Sequence, residues 1–302
     1  MGADDNPESI FGNILCDSKQ PLASRFRALF ALKNIKSVNA ADWICKALTD
    51  DSALLKHELL YCLGQMQLEF AVPSITKVLC NEMEDPMVRH EAGEALGAIG
   101  SDESIEILKR HKHHAVQEIA ETCSLAYDRI AKQQDEDAKG DAARNPYASV
   151  DPAFSFPETR SVDELQSILT EKSNSLWDRY RAMFTLRNIG TDAAVNALSS
   201  GLKCDDSALF RHEIAYVLGQ MQSPLSIPGL EERLSDMNEN YMVRHEAAEA
   251  LGSIATEEAQ LILRKFLGDP ERVVRESCEV ALDIADYENS SEMNLINVPA
   301  VS

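Results

Sequence analysis

Four His-Glu pairs recur along the chain: His57-Glu58 in "KHELLYCLGQM", His90-Glu91 in "RHEAGEALGAIG", His212-Glu213 in "RHEIAYVLGQM" and His245-Glu246 in "RHEAAEALGSIA". Imidazole nitrogen and carboxylate oxygen without thiolate form a ligand set for iron or manganese, and also for zinc. Two histidines and one carboxylate per ion, with positions left open, is the set used by non-haem Fe(II) sites that activate dioxygen. Four imidazoles and up to four carboxylates suffice for two such ions. A single histidine on an apolar helix is more often structural than a ligand. Here, however, four of the seven histidines occupy one repeated slot.

The slot itself supplies a control. Followed through every copy, it holds Phe26, His57, His90 and Glu121, then Tyr180, His212, His245 and Glu276. The outer copies keep the apolar helix pattern without His-Glu, so helix packing alone does not require the pair. Only the central two units of each half carry it, and stacked helices about 8–10 Å apart would bring equivalent slots onto a common centre.

The elements that must hold these residues follow from the intervals. Successive slots lie 31, 33 and 31 residues apart in the first half and 32, 33 and 31 in the second, and His212 and His245 each lie 155 positions after His57 and His90. A period in the low thirties, with helical apolar spacing and no strand-like alternation, marks an α-solenoid whose neighbours bury each other's faces. The Trp/Gly/Tyr pattern of tetratricopeptide repeats and the T-P-L-H turn of ankyrin repeats are missing. The expected fold is therefore all-α: an α-solenoid of eight HEAT-like helical-hairpin repeats in two duplicated four-repeat halves. Each unit is expected to begin with the slot helix and continue into a shorter one such as "AVPSITKVLC". The halves span residues 1–132 and 161–286, with a flexible linker over 133–160 and a tail over 287–302. Three prolines, a charge cluster and the absence of a period mark the linker.

On the helix "LLKHELLYCLGQM", Leu55, Leu59, Leu63 and Met66 form the apolar stripe, which places His57 and Glu58 at its rim. Gly64, Gly97, Gly219 and Gly252 each follow their histidine by seven residues, leaving room for a ligand or for close helix contact. Glu94 and Glu249, at i+4 from His90 and His245, could orient an imidazole, although a solvated face is the commoner place for them. The run "HKHH" at 111–114 reads as a basic surface loop.

Composition narrows the field. A formal charge of −21 argues against a sequence-independent nucleic-acid binder and suits a cationic partner. Seven scattered cysteines without a C-x-x-C indicate a reducing compartment. No apolar run reaches the roughly 20 residues of a membrane span, and the N-terminal sequence has no signal-peptide pattern. Neither G-x-S-x-G, a P-loop, G-x-G-x-x-G nor H-E-x-x-H occurs.

With its four His-Glu motifs, the "RFRALFALKNI" opening and the linker's "NPYASVDPA", the sequence resembles the deoxyhypusine hydroxylase family over nearly its whole length. The resemblance implies a di-iron monooxygenase that hydroxylates the deoxyhypusine side chain of translation initiation factor five-A with dioxygen, completing hypusine. It implies that His57, His90 and Glu91 hold one Fe2+ and His212, His245 and Glu246 the other. Glu58 and Glu213 then become further ligands or partners of the substrate amine, and the catalytic candidates. A cytoplasmic monomer that contacts neither nucleic acid nor membrane is the accompanying expectation. A metal-free HEAT adaptor and a bilin-lyase-like repeat protein are the alternatives, separable by metal content.

Overall fold

In the computed structural model, residues 6–133, 145–157 and 159–288 are described. The first half contains α1 (Pro7–Cys16), α2 (Leu22–Ile35), α3 (Val38–Ala47), α4 (Ala53–Met66), α5 (Val72–Leu79), α6 (Pro86–Ile99), α7 (Ile105–His111) and α8 (Gln117–Lys132). The second contains α9 (Val162–Thr170), α10 (Leu176–Ile189), α11 (Asp192–Gly201), α12 (Ala208–Met221), α13 (Ile227–Ser235), α14 (Tyr241–Ile254), α15 (Glu257–Lys265) and α16 (Arg272–Glu288). These pair as eight hairpins, and no strand occurs among the described residues. Each hairpin runs from the shorter helix into the slot helix, the reverse of the order expected from sequence. The expected order had left out α1, whose start is fixed by the Asn6 cap and Pro7.

The slot helices begin four residues before the slot, and in α4, α6, α12 and α14 a side-chain cap satisfies a free amide there. Ser52 Oγ accepts from Leu55 N at 3.1 Å and Ser207 Oγ from Phe210 N at 2.9 Å, while Asp85 and Asn240 accept from Met87 and Met242. At their C-termini α4 and α12 end on Gln67 and Gln222 in the left-handed conformation. These glutamines carry a backbone cost that glycine would avoid. In return, their Nε2 atoms donate to Ala98 O and Ser253 O in the next repeat, both at 2.9 Å.

A buried arginine ties four slot helices to the shorter helices before them. Arg25, Arg89, Arg179 and Arg244 each donate Nε to the carbonyl ten residues earlier, at 2.8–3.0 Å. Three of them also reach forward: Arg25 to Asp50, Arg179 to Asp206 and Arg244 to Asp269, which fixes the register of the following turn.

The glycines seven residues beyond each histidine serve close helix approach. A Cβ on Gly97 would stand 2.6 Å from Ala126 Cβ, and one on Gly252 2.6 Å from Ala281 Cβ; Gly64 and Gly219 face Ala95 and Ala250 in the same way. Side-chain-free contact lets α4, α6 and α8, and likewise α12, α14 and α16, stack tightly.

The stack closes on itself. α16 packs against α2 and α4, and α8 against α10 and α12, so the slot helices form the inner wall of a ring. Symmetric polar contacts cross the two seams: Ser52 Oγ donates to Glu276 and Ser207 Oγ to Glu121, each at 2.7 Å. Among the described residues no helix is long and apolar enough to cross a membrane. Residues 134–144 and 158 of the expected flexible linker, and 289–302 of the expected tail, lie outside the described residues.

Candidate metal centre

All four His-Glu pairs meet at the centre of this ring. His57 and His90, from α4 and α6, have ring centroids 5.3 Å apart, as do His212 and His245 from α12 and α14. Across the halves His57 lies 5.1 Å from His245, and His90 5.1 Å from His212. The two-fold repetition in sequence thus becomes a two-fold arrangement in space.

These residues are not at a rim. His90 and His245 are inaccessible, and His57, Glu58, Glu91, His212, Glu213 and Glu246 are all buried. The rim expectation considered one helix against its own stack. Ring closure adds the opposite half as a second wall, and the polar slot becomes the most enclosed part of the helix.

Such burial is costly unless the polar atoms are satisfied. Both ring nitrogens of all four histidines lack a hydrogen-bond partner. The nearest carboxylates stand off: His57 Nε2 to Glu91 Oε2 and His212 Nε2 to Glu246 Oε2 are both 3.3 Å, and His245 Nδ1 to Glu249 Oε1 is 3.5 Å. Three sets of ligand atoms lie within 4.8 Å of one another: His57, His90 and Glu91; His57, His212 and His245; and His245, Glu246 and Glu249. Eight unpartnered buried nitrogens, three of them 3.3–3.5 Å from a carboxylate oxygen, suit cations placed among them.

The electrostatics have the same sense. Burial pushes the imidazoles of His57, His90 and His245 well below their usual range, and that of His212 down to about 4, so all four are neutral donors. Burial, reinforced by neighbouring carboxylates, holds Glu58, Glu91, Glu213 and Glu246 well above the ordinary carboxylate range. Metal ions reverse that penalty by pairing with the charged form.

Glu94 and Glu249 were expected on a solvated face, and the structure corrects this. Both line the cavity beside the histidines, and burial raises each to about 7. The i+4 spacing from His90 and His245 was the available signal, but their burial depends on the far half of the ring. Sequence reasoning also missed the Tyr61–Tyr216 pair, whose hydroxyls meet at 2.9 Å across the two-fold arrangement. Each tyrosine follows its histidine by four residues. The cavity, about 290 Å³, opens past Phe30, Lys33 and Ile284, so the outer repeats supply its mouth.

The 111–114 run does not join this centre. His111 Nδ1 lies 2.8 Å from Ile107 O, and His114 Nε2 lies 3.3 Å from Arg89 Nη2, at the turn between α7 and α8.

A ring of helical hairpins with a buried histidine-carboxylate centre defines a HEAT-repeat protein whose interior groups ligand atoms that could hold metal ions. The family model for HEAT repeats matches residues 41–124 and 162–241, and that for the PBS lyase HEAT-like repeat matches 243–269. Among curated relatives, deoxyhypusine hydroxylase of Danio rerio is 54% identical over 292 residues, covering 96% of this chain and 95% of the relative. That of Drosophila melanogaster is 54% identical over 281 residues, 93% of this chain and 92% of the relative. The solved structure of human deoxyhypusine hydroxylase matches with a TM-score of 0.89 at 53% identity, over 93% of this chain and 96% of that one. The chain belongs to the deoxyhypusine hydroxylase family and is an enzyme, a monooxygenase of that kind.

Proposed function

We propose that this chain hydroxylates the deoxyhypusine side chain of translation initiation factor five-A, completing hypusine, with two Fe2+ ions and dioxygen. The observation that carries this reading is the set of eight unpartnered imidazole nitrogens buried among carboxylates at the centre of the ring. His57, His90 and Glu91 hold one ion, and His212, His245 and Glu246 hold the other. Bound iron supplies the oxidising power, drawn from dioxygen, that an unactivated C–H bond demands and side-chain acids and bases lack.

The residues of the chain do the rest. Imidazoles kept neutral by burial present lone pairs rather than N–H bonds to the ions. Glu58 and Glu213, on the same helices as His57 and His212, are either further ligands or acceptors for the substrate's cationic amine. Glu94 and Glu249 add carboxyl oxygens beside them that accept hydrogen bonds from an ammonium group, so the cavity suits a cationic chain. The apolar faces of α4 and α12 behind the slot exclude water.

The enzyme acts as a cytoplasmic monomer without nucleic acid or membrane. Ring closure within one chain completes the site, which supports the monomer.

The test is iron-dependent hydroxylation of a deoxyhypusine-bearing protein, followed by mass spectrometry. Gain of one oxygen atom on the modified lysine, dependent on Fe(II) and dioxygen, is the expected result. An unmodified substrate with fully iron-loaded enzyme and reductant contradicts it.

A further inference from the structure

The two halves repeat one wall around the centre, yet only one of two equivalent mouths is open. The open mouth is lined by Phe30 and Lys33 of α2, Gln220 of α12, Ser253 of α14 and Ile284 of α16. Repeat spacing gives their counterparts as Phe184, Arg187, Gln65, Ala98 and Arg129. There Ser149–Pro152, from the segment joining the halves, fills the space. Beside it lies a gap of only about 10 Å³, whose lining includes Glu94, Arg129 and Pro152.

The plug is held chiefly by its main chain and one carboxylate. Val150 N donates to Gln65 Oε1 at 2.8 Å, and Gln65 Nε2 donates to Val150 O at 3.2 Å. Arg129 Nε donates to Asp151 O at 2.8 Å. The Arg187 guanidinium grips the Asp151 carboxylate with bonds of 2.6 and 2.8 Å. This is a two-point amide clamp plus a bidentate cation, which is how proteins seat an extended strand.

The open mouth keeps a cation at the place of Arg187 and has no occupant from the described residues. Lys33 stands where Arg187 stands in the other half, half-buried, 5.2 Å from the Phe30 ring centroid and 5.7 Å from that of Tyr61. Among the described residues it makes no ion pair. Gln220, the counterpart of Gln65, lines the mouth with its amide already engaged, donating to Tyr216 and accepting from Arg187, each at 2.9 Å, so Lys33 is the group left to bind an occupant.

We infer that the open mouth seats an extended main-chain segment of the protein substrate, as the closed mouth seats Ser149–Pro152, with Lys33 binding an oxygen of that segment and Gln220 flanking it. The substrate's amine-bearing side chain then runs past the tyrosine pair towards Glu58, which shares the Lys33 side of the cavity. The inference rests on the proposed function, because it needs a protein-borne cationic side chain. It adds that the enzyme reads the backbone around the modified residue, and from one side only.

The test compares two probes on the full-length, iron-loaded enzyme: the deoxyhypusine-bearing protein and the free deoxyhypusine amino acid. Lys33→Met removes the charge-assisted contact, and is expected to weaken the protein about tenfold while leaving the free amino acid within about twofold. Ser253→Trp, which fills the mouth, is expected to exclude both, with iron content retained as the check on folding. A benzophenone amino acid in place of Ile284 is expected to cross-link the protein substrate, and one in place of Ser149 is not. Unchanged protein affinity in Lys33→Met, or cross-linking from position 149, overturns the seating while leaving the proposed activity standing. If the wild type binds neither probe, the activity and the seating fall together.

Discussion

Central and outer repeats share one hairpin frame and differ in the slot and in the glycine seven residues beyond it. In α4, α6, α12 and α14 the slot holds His-Glu and faces the centre of the ring. In α8 and α16 the same slot holds Glu121 and Glu276, which accept hydrogen bonds from Ser207 and Ser52 and stitch the halves together. In α2 it holds Phe26, an apolar wall of the cavity, and in α10 it holds Tyr180, packed 5.9 Å from Phe210. Side-chain caps and, in four copies, a buried arginine set the frame, and glycine contacts tighten it at the four central helices. The slot is therefore free to bind, to wall or to stitch, according to its distance from the seam.

Removing a central slot is the strongest way to break this contrast. His57→Ala or His245→Ala is expected to abolish hydroxylation and lower bound iron, measured by turnover and metal analysis; Phe26→Leu is expected to keep its iron. Unchanged iron in either histidine variant would remove that residue from the ligand set.

The glycines come next, since they set how closely the central helices stack and do not face the centre as the slot does. Gly252→Ala forces a Cβ to 2.6 Å from Ala281 Cβ, and a stability loss of about 1–3 kcal/mol by denaturant unfolding is expected. A neutral result would mean that the helices can part without cost.

A pH series separates the buried carboxyls from their frame. Burial raises the Glu94 carboxyl from its ordinary value of about 4.5 to about 7. In the metal-free protein its contribution to stability is fully present below the unfolded value and is lost as pH rises through the folded one. Relative to wild type, metal-free Glu94→Gln is thus expected to gain thermal stability as pH climbs from 4.5 through about 7. Parallel Tm curves across that window would show that Glu94 is not ionising in burial.

The smallest effect is expected at a stitch. Glu276→Gln keeps an acceptor for Ser52 and weakens a half-exposed pair with Arg272, so a loss of at most about 1 kcal/mol, with iron unchanged, is the expected outcome.

The repeat frame and the eight slot residues were legible because a period of 31 to 33 residues exposes any position that departs from it. The order of helices within a hairpin was not, because the slot helix carries the strong motif and α1 carries none. Burial of Glu94 and Glu249 was also illegible. A charge four residues from a histidine resembles a solvated face until ring closure brings the other half across from it. The plug was hidden for a related reason. "NPYASVDPA" has the composition of a connector, and its fixed position depends on Gln65 and Arg187, 85 and 36 residues away in sequence.

The central claim is that the four central slots together hold two metal ions, and metal analysis after anaerobic Fe(II) reconstitution tests it most directly. About two irons per chain are expected in the wild type and clearly fewer in His57→Ala and His245→Ala. A wild-type chain that emerges from the same reconstitution without bound iron would contradict the account.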